Sequence, residues 1–345
     1  MKVAHVHKMR GIGGSERHLL TLLPALAERG LDVVFVGLDD PDWDPSDFYD
    51  ALGVPAVRLR ADPLVLPRLL GSLRADVVHT HLVHADVLGG LAARLRGAKL
   101  VSTKHNDDPF RLGPFRHVER GVARLADRIV AITDSLRRFT VDQVGVPAAK
   151  VETIHYGLDT LPPAWGDNPP DDVPPDARIL LSTARLAPQK GIDQAVRALA
   201  ELPADTVLVV LGEGPERRNL ERLAHEAGVG ERLFLPGRVP DVAAWLRRAA
   251  VYVQPSRWEG FGLSVLEAMH ASLPVVATRV SSLPELVVDG ETGLLVPAGD
   301  PAALARAIGN ALDRPELGAA GRERARTEFS VARMANRTAD LYARL

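Results

Sequence analysis

Short apolar runs alternate with amphipathic segments along most of the chain. Runs rich in valine, isoleucine and leucine and bounded by turn residues predict buried strands. In the first half of the chain these runs cover residues 3–7, 32–38, 76–81, 98–103, 128–132 and 151–155. In the second half they cover residues 179–184, 206–211, 232–235, 251–254 and 274–277. Helical spacing recurs between them, as in residues 15–29 and 85–96, and this alternation predicts parallel sheets with crossover helices.

Prolines interrupt the alternation near the middle of the chain. The six prolines between residues 162 and 175 are Pro162, Pro163, Pro169, Pro170, Pro174 and Pro175. This density excludes a helix and a central strand, because proline lacks the backbone N–H that both require. The sequence therefore predicts a linker over residues 162–177. It joins an N-terminal α/β domain, residues 1–161, to a C-terminal α/β domain, residues 178–330, with a cleft between them.

A glycine turn in the second domain is flanked by two carboxylates. Glu259 and Glu267 have Gly260 and Gly262 between them. A strand is predicted before the turn and a helix after it, which puts Glu259 in the loop and Glu267 in the second helical turn. Glycines let a ligand approach the backbone closely, and a helix N-terminus suits a phosphate. Carboxylates accept hydrogen bonds from hydroxyls, so the ligand would carry both phosphate and sugar hydroxyls. An ordinary helix with solvated glutamates is the alternative.

Two cations stand near a second boundary between a strand and a helix. Arg185 follows the strand at residues 179–184, and Lys190 precedes a helix that begins near Ile192. Open α/β sheets bind ligands at such strand ends. Two cations and a helix N-terminus could neutralise a diphosphate, although cations at a surface are also common without a ligand.

Several short segments recur in one order along a known family. They are Gly13-Gly14-Ser15-Glu16, Lys104-His105-Asn106, Ala184-Arg185-Leu186 with Lys190-Gly191, Leu211-Gly212-Glu213-Gly214-Pro215, the segment from Glu259 to Glu267, and Gly290-Glu291-Thr292-Gly293-Leu294-Leu295-Val296. With these motifs the chain resembles the family 4 retaining glycosyltransferases of GT-B fold. One departure is Ser281-Ser282 before Leu283-Pro284-Glu285, where the family often has paired glycines.

The resemblance implies an α/β GT-B fold, in which two Rossmann-like domains have parallel sheets that face each other across a cleft. It implies that the last helix, within residues 331–345, packs back on the N-terminal domain. It also implies transfer of a hexose from a nucleoside-diphosphate sugar, UDP more often than GDP, to a hydroxyl acceptor in glycolipid, polysaccharide or natural-product synthesis. The anomeric configuration would be retained, with no cofactor and no metal.

Site residues follow from the resemblance position by position. The catalytic candidates are His105, Glu259, Arg185 and Lys190. The donor-binding candidates are Gly13, Gly14, Arg185, Lys190, Gly260, Phe261, Gly262, Leu263 and Glu267. The acceptor-binding candidates are His81 and Asn106. In this scheme Arg185 and Lys190 hold the diphosphate and Glu267 binds the ribose, while Glu259 and His105 position the sugar.

Two other site types fit the sequence poorly. The segment from Gly11 to Glu16 lacks the last glycine of a dinucleotide-binding fingerprint, because Glu16 stands there. His79 and His81 suggest a metal site, but a binuclear hydrolase would need an aspartate where Val83 stands, so no metal is expected. Two alternatives to a transferase remain: a sugar-nucleotide epimerase of related fold, and a non-catalytic subunit that binds sugar nucleotides.

Composition narrows the class of protein further. The 345 residues suffice for two domains, and 46% hydrophobic with 25% charged residues is typical of a soluble globular enzyme. A net charge of −2 offers no electrostatic footprint for nucleic acid. The chain has no cysteine, which excludes disulfides, thiolate metal sites and cysteine nucleophiles.

The location expected from the sequence is cytoplasmic. The first residues lack the apolar core of a signal peptide, and no apolar run approaches the ~18 residues of a transmembrane helix. A spaced series of arginines consists of Arg111, Arg116, Arg120, Arg124 and Arg128. This series could hold the protein at the anionic inner face of a membrane. Glu119 and Asp127 lie in the same stretch and favour a solvated helix face instead.

Overall fold

The computed structural model describes residues 1–106, 112–159 and 173–345. The chain forms two compact units: an N-terminal unit of Met1–Gly157 with Phe329–Leu345, and a C-terminal unit of Leu158–Glu328. Most of the predicted linker, residues 160–172, lies outside the described residues, as does Arg111, so the linker stays a prediction.

The N-terminal unit contains a sheet in which every pair of neighbouring strands is parallel. Its strands are β1 (Lys2–Met9), β2 (Asp32–Asp39), β3 (Ala56–Arg60), β4 (Val77–His81), β5 (Lys99–Lys104), β6 (Arg128–Ala131) and β7 (Val151–Thr153), in the order β3-β2-β1-β4-β5-β6-β7. The helices between them are α1 (Gly14–Ala27), α2 (Ser46–Asp50), α3 (Val65–Ser72), α4 (Leu82–Arg96), α5 (Phe115–Leu125) and α6 (Asp134–Arg138). A π-helical segment, Phe139–Val144, and a 3₁₀ turn, Ala148–Lys150, follow α6.

The C-terminal unit repeats this plan with a second parallel sheet. Its strands are β8 (Arg178–Thr183), β9 (Thr206–Leu211), β10 (Leu233–Gly237), β11 (Val251–Gln254), β12 (Val275–Thr278) and β13 (Leu294–Val296), in the order β10-β9-β8-β11-β12-β13. Its helices are α7 (Ile192–Leu199), α8 (Arg217–Glu226), α9 (Val242–Arg248), α10 (Leu263–His270), α11 (Leu283–Leu286), α12 (Pro301–Leu312) and α13 (Glu316–Glu328). Two 3₁₀ turns, Pro188–Lys190 and Gly230–Arg232, complete it.

The central strands of the C-terminal sheet are largely apolar on both faces because helices cover both sides of a parallel sheet. All six residues of β9 are buried, for example. In contrast, β1 and β4 of the N-terminal sheet bury His5, His7, His79 and His81. In each sheet the strand order reverses once, between β1 and β4 in the first and between β8 and β11 in the second. Ligands of open α/β sheets bind outside the carboxyl ends of the strands at such a reversal. Ligand-binding residues are therefore expected at these two edges.

The last helix, α14 (Val331–Ala343), belongs to the N-terminal unit. It packs against α1, and Met334, Leu341 and Tyr342 are buried in the core of that unit. Arg29, just after α1, donates a hydrogen bond of 2.6 Å to the side chain of Asn336. The end of the chain is thereby tied to the first helix.

Candidate active site

The glycine turn connects β11 to α10 at the carboxyl edge of the C-terminal sheet. Gly262, the residue before α10, has a φ of +99°, in the left-handed region that favours glycine. A Cβ there would also lie 3.1 Å from a methyl group of Leu286 and 3.2 Å from one of Leu283. The left-handed backbone therefore favours glycine, and a side chain here would also have to displace these two methyl groups. The turn leads into the N-terminus of α10, whose unpaired N–H groups and helix dipole favour an anion.

Glu259 lies in this turn, in the loop as predicted, and is only 8% exposed. Its oxygen Oε2 accepts three hydrogen bonds: from Lys190 Nζ at 2.6 Å, from Gln254 Nε2 at 3.1 Å and from Ser256 Oγ at 3.2 Å. A buried carboxylate is costly unless it is paired and hydrogen-bonded. Here one cation and two neutral donors meet that need and hold the carboxylate in place.

A serine from the loop after β12 supports the same turn. The single hydroxyl hydrogen of Ser282 is shared between the backbone carbonyl oxygens of Glu259, at 3.2 Å from Oγ, and Phe261, at 2.9 Å. Ser281 has a φ of +46°, in the left-handed region that favours glycine, so this chain adopts that backbone here without a glycine. The departure from the family pattern thus adds a side chain that fixes the glycine turn.

Lys190 and Arg185 lie in the loop after β8, the strand next to β11. Lys190 ends the 3₁₀ turn, and Gly191 follows it with a φ of +63°. A Cβ on Gly191 would lie 2.0 Å from the carbonyl oxygen of Pro255, so only glycine lets this loop approach the end of β11. Arg185 is exposed and has no hydrogen bond or ion pair with the described residues. Lys190 is therefore paired with Glu259, whereas the guanidinium of Arg185 is available to bind a ligand.

Further contacts hold these two loops together. Gln189 Nε2 donates to the carbonyl of Trp258 at 3.2 Å, and the backbone N–H of Arg257 donates to the carbonyl of Gln189 at 2.8 Å. The Arg257 guanidinium bonds both carboxylate oxygens of Asp193, each at 2.8 Å. Sequence reasoning missed four of these residues: Gln254, Ser256, Ser282 and Arg257. Ser282 and Arg257 act through contacts between segments distant in sequence, whereas Gln254 and Ser256 act where the glycine turn folds back on its own strand.

Glu267 occupies the second turn of α10, as predicted, and is half-buried. Nearby, the hydroxyl of Tyr252 donates to Gln254 Oε1 at 3.2 Å. Burial, with a smaller contribution from the Glu267 carboxylate, raises the pKa of Tyr252. Tyr252 therefore stays protonated and keeps donating to Gln254, whose amide donates in turn to Glu259. The two glutamates lie in different elements and have different surroundings.

In the N-terminal unit, Gly13 and Gly14 are exposed in the loop that opens α1. The N–H of Gly13 donates to Glu16 Oε2 at 2.9 Å, and Ser15 Oγ donates to the same oxygen at 2.9 Å. Glu16, the residue that breaks the dinucleotide fingerprint, thus caps its own loop. Since the Gly13 N–H is occupied, a phosphate contact here falls to Gly14 and stays a prediction.

His105 and His81 lie together at the carboxyl edge of the same sheet. His105 Nε2 is 3.0 Å from His81 Nδ1, and His105 Nδ1 bonds the hydroxyl of Tyr156. His81 is fully buried, so a contact between its side chain and an acceptor stays a prediction. Asn106 is half-buried and ends the first described stretch of the chain.

His5, His79 and His81 form one group whose ring nitrogens lie within 4.8 Å of one another, close enough to hold a metal ion. Both ring nitrogens of each histidine, however, are already hydrogen-bonded to one another or to neighbouring side chains. A metal would have to break several of these bonds, and the group contains no carboxylate. The arrangement fits a hydrogen-bonded network better than a metal centre.

Comparison with known proteins gives consistent matches over nearly the whole chain. Residues 12–160 match the family described as Glycosyltransferase Family 4, and residues 167–328 match Glycosyl transferases group 1. The D-inositol 3-phosphate glycosyltransferase of Acidothermus cellulolyticus is 33% identical, with 87% of this chain and 78% of the relative covered. The lipopolysaccharide core biosynthesis glycosyltransferase LpsE of Rhizobium meliloti is 30% identical, with 89% and 88% covered.

Solved structures match as well. The crystal structure of HepE from Anabaena in complex with UDP covers 100% of both chains, with a TM-score of 0.87 and 20% identity. A structure of HepE with UDP-glucose has a TM-score of 0.85 and also covers 100% of both chains, again at 20% identity. At this identity the likeness concerns the fold alone, and it confirms the predicted GT-B fold class. Among the described residues, no helix is both long and apolar enough to cross a bilayer.

Proposed function

Because this chain belongs to the family 4 glycosyltransferases, we propose that it transfers a hexose from a nucleoside-diphosphate sugar to a hydroxyl of an acceptor, with retention at the anomeric carbon. The observation that carries the proposal is the Lys190–Glu259 pair beside the N-terminus of α10, at the reversal of strand order. At that edge a cation, a carboxylate and the N-terminus of a helix lie together. The UDP and UDP-glucose complexes of HepE support UDP as the nucleotide.

The diphosphate would be held by Lys190, Arg185 and the first N–H groups of α10. A lysine ammonium has three N–H donors, and one of them already points to Glu259. The other two can bond phosphate oxygens without breaking that contact. Arg185, which is exposed and unpaired among the described residues, can swing onto the diphosphate. These cations would stabilise the negative charge that develops on the leaving group.

The two glutamates would act on different parts of the donor. Glu267 would accept hydrogen bonds from the ribose, while Glu259 and His105 would position the sugar. The acceptor oxygen attacks the anomeric carbon on the face from which the nucleoside diphosphate leaves. The bond between the anomeric carbon and the phosphate oxygen breaks, and the acceptor's proton passes to the leaving phosphate oxygen. Lys190, Arg185 and the N-terminus of α10 would stabilise the charge that a metal ion stabilises in other transferases. The proposed reaction therefore needs no metal and no other cofactor.

A donor screen with the purified chain tests this proposal. Each UDP- and GDP-sugar is incubated with a panel of hydroxyl acceptors, and released nucleoside diphosphate and product are both measured. We expect one donor to give a product whose anomeric configuration, read by proton NMR, matches that of the donor. Inversion would overturn the retaining mechanism. Conversion of the donor to its epimer would favour the epimerase, and binding without turnover would favour a non-catalytic subunit.

We also propose that the surface of α4 and α5 contacts an anionic lipid bilayer. The two helices pack against each other and expose large apolar side chains: Val87, Leu91 and Leu95 on α4, and Phe115, Val118 and Leu125 on α5. The carboxylate expected to offset the arginines of α5, Glu119, is buried, at 2% exposed, and Asp127 is paired with Arg94 at 3.1 Å. Arg94 and Arg96 of α4 and Arg124 of α5 are exposed on the same two helices as these apolar side chains, a combination that suits an anionic bilayer.

A basic cavity of about 450 Å³ continues this surface. Its lining includes Arg94, Lys99, Arg124, Arg128, Lys150 and Arg344. Co-sedimentation with phosphatidylcholine vesicles, with and without phosphatidylglycerol, measures the contact. We expect binding only with phosphatidylglycerol and its loss in Leu91→Ser/Leu95→Ser, whereas Leu64→Ser, an exposed leucine next to α3, should bind normally. Equal binding by both variants would contradict the assignment.

A further inference from the structure

A continuous series of hydrogen bonds runs through the interior of the N-terminal unit, where the strand order reverses between β1 and β4. We call it the histidine chain. Its members, in order, are Tyr156, His105, His81, His5, Tyr342, His79 and Thr103. All seven are buried, with at most 9% of any residue exposed. In the proposed transfer His105 contacts the sugar, and His81 is a predicted contact of the acceptor. The other members of the histidine chain have no part in that scheme.

The middle links of the histidine chain join the imidazoles of His105, His81 and His5 to the hydroxyl of Tyr342. His105 Nε2 is 3.0 Å from His81 Nδ1, and His81 Nε2 is 3.0 Å from His5 Nδ1. His5 Nε2 is 3.1 Å from the hydroxyl of Tyr342. The ring planes of His5 and His81 differ by only 16°, which suits an N–H that points from one ring edge to the other.

The series continues on both sides of these links. The hydroxyl of Tyr342 lies 2.5 Å from His79 Nδ1, and His79 Nε2 lies 2.6 Å from Thr103 Oγ1. At the other end, His105 Nδ1 bonds the hydroxyl of Tyr156. Both ends are hydroxyl groups, and a hydroxyl can donate or accept. The ends therefore permit either direction of proton donation along the histidine chain.

Burial keeps the inner imidazoles neutral. It lowers the pKa of His5 to about 3, and it lowers the pKa of His79 and of His81 well below the usual value of 6.5. A neutral imidazole has one N–H donor and one acceptor nitrogen. His81 must therefore donate to one neighbour and accept from the other. Its tautomer, that of His5 and the protonation of His105 Nε2 cannot change independently.

The hydroxyl of Tyr342 sets the direction of proton donation along the histidine chain. Its single hydroxyl hydrogen can point to His5 Nε2 or to His79 Nδ1, but not to both. If it points to His5, then His5 donates from Nδ1 to His81, which donates from Nδ1 to His105 Nε2. If it points to His79, every one of these bonds reverses, and His105 carries its proton on Nε2.

We propose that Tyr342 is a positioning residue of the candidate active site, which sets the tautomer of His105 through His5 and His81. The tautomer of His105 in turn decides whether Tyr156 donates its hydroxyl hydrogen to His105 or accepts from it. Tyr342 lies on α14, so the last helix takes part in positioning His105. The effect on turnover rests on the proposed contact between His105 and the donor sugar, whereas the coupling itself does not.

Nitrogen-15 NMR of histidine-labelled protein tests the coupling directly, because the two ring nitrogens of a neutral imidazole resonate differently according to which carries the proton. The spectrum of His105→Gln identifies the signals of His105. Tyr342→Phe removes the hydroxyl that joins His5 to His79 and keeps the ring. The matched control is Tyr49→Phe, which removes a hydroxyl bonded to Asp39 at 2.5 Å in the same unit, outside the histidine chain.

We expect Tyr342→Phe to change the Nδ1 and Nε2 signals of His105, three links away, and Tyr49→Phe to leave them unchanged. Thr103→Val, which keeps the side-chain shape and removes the hydroxyl at the far end, should also change them. It serves as the second variant if Tyr342→Phe does not fold. Changes confined to His5 and His79 would overturn the proposal. So would a shift of His5, His79 and His81 on addition of Zn²⁺ that EDTA reverses, since it would indicate a metal centre.

Kinetics give the second measurement. Tyr342→Phe should lower kcat a few-fold and leave the donor KM unchanged, because the groups proposed to hold the diphosphate lie in the C-terminal unit. A merely structural defect would instead lower the thermal midpoint and the fraction of active enzyme, with kcat per active site unchanged, and that result would contradict the positioning role. If the wild-type chain shows no transfer at all, the proposed function fails, and the NMR comparison still decides the coupling.

Discussion

The ammonium nitrogen of Lys190 lies 2.6 Å from Oε2 of Glu259, although 69 positions of sequence separate the two residues. Their side chains are 19% and 9% exposed, so bulk water screens the pair much less than it screens a surface ion pair. Each residue therefore satisfies the charge of the other before any ligand binds. Replacing either one leaves a partly buried charge without its partner, which has to be considered whenever the site is mutated.

Lys190→Ala should lower both donor turnover and stability. Loss of a charge-assisted phosphate contact costs on the order of 1.5–3 kcal/mol, or ~10- to 150-fold in kcat/KM. Within the described part of the chain, the same change leaves the Glu259 carboxylate with Gln254 and Ser256 as its side-chain donors, so the thermal midpoint should fall. Initial rates over a range of donor concentrations and a thermal melt measure the two effects. Unchanged kcat/KM would exclude Lys190 from the diphosphate site.

Arg185→Ala should lower kcat/KM by a similar ~10- to 150-fold, because it removes a second charge-assisted contact with phosphate. Its thermal midpoint should stay at the wild-type value, since Arg185 is exposed and has no partner among the described residues. Arg306→Ala, an exposed arginine on α12, is the matched control and should behave as wild type in both assays. A similar loss of activity in the control would point to overall charge and not to a specific contact.

Sequence patterns sufficed for the central strands but not for every strand at a sheet edge. Residues 206–211 and 251–254 were predicted as strands, and β9 and β11 have those bounds. Such strands are apolar on both faces, which makes the signal strong. The edge strand β3 reads Ala-Val-Arg-Leu-Arg and buries only Leu59, and β13 has three residues, so neither has a comparable apolar run. Both were absent from the strands predicted from apolar runs.

The site was predictable only as far as local patterns reach. The glycine turn, its helix and the positions of Glu259 and Glu267 follow from neighbouring residues. The hydrogen bonds from Gln254 and Ser256 to Glu259 depend on how the turn folds back on its own strand, which no periodicity records. The histidine chain goes further, since it joins β1, β4 and β5 to the last helix. The sequence motifs identify His79, His81 and His105 as candidate site residues. No motif contains His5 or Tyr342, so local patterns do not predict their part in the histidine chain.

Activity should persist in excess chelator. Lys190, Arg185 and the N-terminus of α10 are proposed to carry the charge of the diphosphate, and the ring nitrogens of His5, His79 and His81 are engaged in hydrogen bonds. Initial rates with and without EDTA, with donor and acceptor saturating, should agree within experimental error. The control adds Mg²⁺ or Mn²⁺ to the EDTA-treated enzyme. A complete loss that one of these ions restores would contradict metal independence.

Gly262→Ala should destabilise the protein and impair donor binding together. A φ of +99° is strained for any residue with a Cβ, and the added atom would press on Leu283 and Leu286. Such strain costs roughly 1–3 kcal/mol, and the turn that leads into α10 would shift. Denaturant melts and the donor KM measure the two effects.

The matched control for this change is Gly309→Ala on α12. Among the described residues, and apart from its chain neighbours and the backbone of its own helix, no atom lies within 4 Å of the position that its Cβ would take. Alanine at a compatible site stabilises a protein by about 0.4–1 kcal/mol, so this variant should be slightly more stable than wild type and fully active. Gly262→Ala with wild-type stability and donor KM would mean that the turn tolerates a side chain, against the packing described above.

The two glutamates should separate by kinetic role. Glu267→Gln should mainly raise the donor KM, by about fivefold for a hydrogen bond worth ~1 kcal/mol, because a ribose contact is the same in the ground state and the transition state. Glu259→Gln should mainly lower kcat, because Glu259 is proposed to stand beside the anomeric carbon, where charge develops. Lys190 remains in that variant to hold the diphosphate, so the donor KM should change little. Donor-saturation kinetics at fixed acceptor measure both constants. The reverse outcome, with kcat lost in Glu267→Gln and donor KM raised in Glu259→Gln, would mean that the roles of the two carboxylates are exchanged.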